Sequence, residues 1–130
     1  MATTPPDSQT NVLIVEDEMV LRMRAVDIVE DAGYNPIEAV NADEAISILE
    51  SRSDISLLFT DIQMPGSMDG LKLAHAVRHR WPPIKIIVVS SRVPARGLPA
   101  DSSFLRKPYR AEALICEIRS LLGRELQLQA

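Results

Sequence analysis

The chain has 130 residues, of which 46% are hydrophobic and 25% charged, with a formal net charge of −4. That size suits one globular domain with a full core, and the sign of the charge disfavours generic attraction to nucleic acid or an anionic membrane. No apolar run reaches the ~18 residues of a spanning helix, and a single cysteine, Cys116, rules out an internal disulfide or a cysteine-based zinc site and fits a reducing compartment.

The opening MATTPPDSQT is polar and proline-rich, without the apolar centre of a signal peptide, and reads as a disordered lead-in over residues 1–10. NVLIV (11–15) is a short β-branched run, a buried strand. EDEMVLRMRAVDIVEDAG follows as a helix, its apolar stripe assigned to Val20, Met23, Val26 and Ile28 and its stop to Gly33. NPIEAV (35–40) is a second strand. Asn41 can cap the next helix with Glu44 at the third position, and Ala45, Ile46 and Leu49 give that helix its apolar face. SLLFT (56–60) is a third strand ending at Asp61, and the text then turns through Met64-Pro65-Gly66. LKLAHAVRHRW is a helix stopped by Pro82-Pro83, IKIIVVS (84–90) a fourth strand and SSFLR (102–106) a fifth. AEALICEIRSLLG (111–123) is a last helix, with Leu114, Ile118, Leu121 and Leu122 inward, Cys116 as a small packed residue and Gly123 as its stop.

Strands that alternate with helices and are apolar on both faces mark an α/β fold with a doubly wound parallel sheet. One connection breaks the rhythm. Between Ser90 and Phe104, Pro94, Gly97 and Pro99 leave no stretch for a regular helix. The fourth helix is therefore expected to be short or missing, and residues 92–102 to form an irregular, mobile connection.

In such a sheet the strand C-termini share one edge, where ligands bind. Glu16 and Asp17 follow the first strand, Asp61 ends the third, Ser90 and Ser91 the fourth, and Lys107 follows the fifth. Packed carboxylates repel, and a hard divalent cation such as Mg²⁺, with oxygen ligands and several waters, relieves that repulsion. One carboxylate can then attack phosphorus while the lysine and the cation neutralise the phosphoryl oxygens and a hydroxyl bonds one of them. His75 and His79 stand four apart on a helix, but opposite its apolar stripe, and read as a solvated face. Arg78-His79-Arg80 is too short a basic run to argue nucleic-acid binding.

The segments LIVEDE, FTDIQMPGSMDGL, IIVVSSR and FLRKPY, in that order, resemble the response-regulator receiver domain of bacterial two-component signalling, of the stand-alone, chemotaxis-regulator-like kind. The resemblance covers residues 11–123 and implies a flavodoxin-like five-stranded sheet in the order 2-1-3-4-5. It implies Asp61 as phosphoacceptor, and Mg²⁺ held by Asp17, Glu16, Asp61 and the backbone carbonyl of Gln63. It also implies Ser90 as the switch hydroxyl, Ser91 beside the phosphoryl group, Lys107 on the phosphoryl oxygens, a cis Lys107–Pro108 bond, and Phe104 at the aromatic switch position.

The expected partners are a histidine kinase or a histidine phosphotransfer protein as donor and a downstream protein target, with no direct nucleic acid, no membrane insertion and a cytoplasmic location. Residues 124–130 read as a short tail without an output domain. A relay intermediate or phosphate sink is the alternative. A phosphatase with an aspartate nucleophile is argued against by Gln63, which stands where such enzymes carry a second aspartate.

Overall fold

The computed structural model describes residues 10–64, 66, 68–94 and 97–129, with side chains as far as Gly123. Five strands form a parallel sheet: β1 (Asn11–Val15), β2 (Asn35–Ala39), β3 (Ile55–Asp61), β4 (Lys85–Ser90) and β5 (Ser102–Arg106), in the order β2-β1-β3-β4-β5. Four helices join or follow them: α1 (Met19–Asp31), α2 (Ala42–Ser51), α3 (Gly70–Arg80) and α4 (Ala111–Gln129). Pro36 lies in β2, an edge strand, where a missing backbone donor is tolerated.

The strand pleat sends alternate residues to opposite faces, and each face has its own core. Leu13, Val15, Leu58, Ile86 and Val88 pack against α2 and α3 through Ala45, Leu49, Leu73, Ala74 and Val77. Val12, Ile14, Leu57, Phe59, Ile87 and Val89 pack against α1 and α4 through Ala25, Val29, Leu114 and Ile118. Burial on both faces accounts for the nearly unbroken apolar text of β1, β3 and β4.

Helix ends follow their caps. The Asn41 side chain accepts from the Glu44 N–H at 2.8 Å, and Glu44 reaches back to the Val40 N–H at 2.9 Å, so the expected reciprocal cap forms one residue further out. The Asp69 carboxylate accepts from the Lys72 N–H at 2.9 Å and starts α3.

Three expectations are corrected. In α1, Val20 and Met23 are 75% and 55% exposed. The inward face is Ala25, Ile28 and Val29, with Leu21 partly buried. That is the i, i+4, i+7, i+8 stripe, and small Ala25 lets the helix sit close to the sheet. Cys116 is exposed on α4, two residues from both Leu114 and Ile118 and so on the face opposite them. Gly123 does not end α4, which runs on to Gln129. A helical glycine costs only about 1 kcal/mol, and the helix-forming Arg124, Glu125, Leu126 and Gln127 that follow sustain the helix.

Among the described residues no helix joins β4 to β5. Leu98 packs against the α2–α3 face of the core, and Pro99 is buried. The segment is strapped to α3. The Arg78 guanidinium donates to the carbonyls of Ala100 (2.8 Å) and Asp101 (3.3 Å), and also to those of Pro82 and Ile84 beyond its own helix. His75 Nε2 lies 3.0 Å from the Gly97 carbonyl.

Candidate functional site

The C-terminal ends of β1, β3, β4 and β5 bring Glu16, Asp17, Asp61, Ser90 and Lys107 to one edge. Backbone bonds tie these ends together: the Ile62 N–H donates to the Val89 carbonyl at 2.9 Å, the Lys107 N–H to the Ser90 carbonyl at 2.8 Å, and the Glu16 N–H to the Ala39 carbonyl at 3.1 Å. The Lys107–Pro108 bond is cis.

Glu16 and Asp61 are each only 6% exposed, and Asp17 is half-buried. One oxygen from each of these three carboxylates lies within 4.8 Å of the others. Lys107 Nζ sits between two of them, 3.0 Å from Asp61 Oδ2 and 3.3 Å from Glu16 Oε1. Glu16 Oε2 accepts from the Glu18 N–H at 3.1 Å, and the Glu16 carbonyl accepts from Arg22 at 2.9 Å.

Burial, reinforced by the neighbouring Asp61 charge, raises the Glu16 carboxyl above its ordinary value, against the opposing pull of the Glu18 N–H and Lys107. For Lys107, burial works against the charged form, but the hydrogen bond and charge of Asp61, then those of Glu16, outweigh it. Its ammonium stays protonated above the ordinary lysine range.

Asp61 Oδ1 is buried and has no hydrogen-bond partner among the described residues. A buried carboxylate oxygen without a donor is costly to maintain. Three clustered carboxylates, one with an unmet oxygen, are a donor set of hard oxygens that fits a divalent cation of the Mg²⁺ type.

Ser90 is fully buried, yet its hydroxyl does not bond Asp61. It donates to Gln63 Oε1 at 3.0 Å and accepts from the Arg92 N–H at 3.2 Å. Ser91 is exposed and lines a cleft beside the carboxylates. Phe104 is half-buried against the α2–α3 core.

A cleft of about 490 Å³ opens beside the carboxylates, between α1 and the segment after β5. Glu16, Asp61 and Lys107 form its polar end, and Leu21, Phe59 and Tyr109 its apolar wall. Tyr109 packs edge-on against Phe59 with ring centres 5.8 Å apart. Arg24 lies 4.6 Å from the Tyr109 ring centre and donates to the Tyr109 carbonyl at 2.9 Å, clasping α1 to that segment.

Three contributors were not singled out from the sequence. Gly70 begins α3 so close to the end of β3 that a Cβ there would overlap the Asp61 carbonyl; its text signal is the glycine of FTDIQMPGSMDGL. Tyr109 and Arg24 carry no local signal, because their contact joins residues 85 apart. Met64 is described and half-buried, whereas Pro65 lies outside the described residues.

The chain belongs to the response regulator receiver domain family, whose model matches residues 12–119. It is 33% identical over 116 residues to the response regulator receiver protein CpdR of Brucella abortus, covering 85% of this chain and 95% of that one. It is 34% identical over 128 residues to the sensor kinase CckA of the same organism, covering 94% of this chain but 13% of the kinase. The chain spans between 13% and 28% of the length of several curated relatives. Among solved structures, the response regulator TrrA of Thermotoga maritima, in complex with Mg²⁺ and a beryllium fluoride, superposes with a TM-score of 0.77 at 27% identity, covering 86% of this chain and 98% of that one.

Proposed function

We propose that this receiver domain accepts a phosphoryl group on Asp61 from a histidine kinase or a histidine phosphotransfer protein, and passes the change to a protein target. The observation that carries this reading is the pairing of Asp61 Oδ2 with Lys107 at 3.0 Å while Asp61 Oδ1, on a carboxylate clustered with those of Glu16 and Asp17, has no partner among the described residues.

The step is a displacement at phosphorus. A carboxylate oxygen of Asp61 forms an O–P bond as the donor's N–P bond breaks, and the donor imidazole leaves as the neutral base once protonated by water. Lys107, held protonated by its two carboxylate neighbours, balances charge on the phosphoryl oxygens. Glu16, Asp17, Asp61 and the backbone carbonyl of Gln63 would hold Mg²⁺, which supplies charge neutralisation when bound. Burial of Glu16 and Asp61 keeps bulk water from competing for those oxygens.

The donor's approach is supported by apolar surface on α1. Met19, Val20 and Met23 are 62%, 75% and 55% exposed on the helix that forms one wall of the cleft.

Acetyl phosphate replaces the protein donor in a test. Wild-type protein should gain one base-labile phosphoryl group with Mg²⁺ and none with a chelator, and Asp17→Asn should lower the labelling rate by about 10-fold or more. Equal labelling of wild type and Asp17→Asn would remove Asp17 from the site. Multiple turnover of a phosphomonoester would point instead to a phosphatase.

A further inference from the structure

Ser90 spends its only proton on Gln63. A hydroxyl has one donor hydrogen. In this structure the Ser90 oxygen already accepts from the Arg92 N–H at 3.2 Å, so its own hydrogen needs an acceptor, and the Gln63 side-chain oxygen supplies one at 3.0 Å. Asp61 Oδ1, at the end of the strand paired with β4, meanwhile has no partner among the described residues. Ser90 therefore cannot donate to a group on Asp61 and to Gln63 together; one bond must break for the other to form.

We propose that the side chain of Gln63 is a positioning residue that latches the Ser90 hydroxyl away from Asp61 and so sets the balance between two states of the site. The inference rests on the phosphoryl-acceptor reading of Asp61 and adds a residue to it. Gln63 suits the role because it is exposed on the turn after β3. On release its amide is hydrated at once, so the latch is weak and reversible, whereas the buried Ser90 hydroxyl must find another acceptor. The phosphoryl oxygens are that acceptor. The same rotation withdraws the acceptor of the Arg92 N–H, at the start of the segment between β4 and β5. Opening the latch thus loosens both the turn after Asp61 and the segment after Ser90.

A double-mutant cycle with beryllofluoride in excess Mg²⁺ as the phosphoryl stand-in tests the latch. Gln63→Leu keeps the backbone carbonyl and removes the acceptor, and should tighten beryllofluoride binding about 3- to 10-fold, the weight of one modest hydrogen bond. Gln63→Ala, which adds no bulk, should do the same and guards against a folding artefact. In a Ser90→Ala background either substitution should change binding by less than about twofold, because no hydroxyl remains to be released. Unchanged binding in the single variants, or an equal gain in both backgrounds, would overturn the latch. If wild type binds no beryllofluoride and Asp61 takes no label, the reading of Asp61 falls and the latch with it. Normal wild-type binding with a flat cycle sinks the latch alone.

Discussion

Gly70 fixes how closely α3 can approach the phosphoacceptor candidate. Its N–H donates to the Ile62 carbonyl at 2.9 Å, and any Cβ would collide with the Asp61 carbonyl. The colliding atom is backbone at the end of a buried strand, so it cannot swing aside as a side-chain tip would. Gly70→Ala should therefore destabilise the fold by about 3 kcal/mol or more and displace the end of β3. Urea unfolding measures this, and a loss below about 1 kcal/mol would mean the α3 start relaxes freely. Residue identity at the strand ends was legible in the text because each chemical group stands next to an apolar run. The Ser90–Gln63 bond was not, because it depends on which way two side chains turn, and the backbone pattern does not encode that.

Elements carry a second lesson, in the segment between β4 and β5. Its prolines and glycine exclude a helix on local grounds, and none is present among the described residues. What local reasoning did not supply is the strap, since His75 and Arg78 on α3 are far in sequence from the Gly97, Ala100 and Asp101 carbonyls they hold and meet them through the packing of α3 beside β4. One guanidinium holds four backbone carbonyls, two of them in this segment, with its planar fork filling a role a lysine cannot match. Arg78→Ala should cost about 1–3 kcal/mol and speed amide exchange over 97–102 by about 10-fold or more, with Arg78→Lys giving little rescue. Unchanged exchange would show that Leu98 and Pro99 hold the segment by packing alone. The misassigned stripe of α1 has its own cause. Val20 and Met23 are apolar by composition, but the regular i, i+4, i+7, i+8 stripe runs through Leu21, Ala25, Ile28 and Val29, where the small Ala25 is a weak apolar signal in the text.

At the scale of the molecule, a five-stranded parallel sheet delivers four strand ends to one edge, and the helices on each face leave that edge open. The architecture was readable from alternation of apolar runs and helical stripes, since burial on both faces leaves little freedom in composition. That carboxylates, a hydroxyl and a lysine would meet at this edge was readable from their places at the strand ends. The measurement that tests the central claim most directly is the site of phosphoryl labelling by acetyl phosphate and Mg²⁺, in wild type against Asp61→Asn. Asparagine preserves the shape of the side chain and removes the nucleophilic carboxylate. The account predicts one base-labile phosphoryl group per wild-type chain, mapped to the peptide containing Asp61, and none on the variant. A base-labile, Mg²⁺-dependent phosphoryl group on Asp61→Asn, at the wild-type rate, would contradict it.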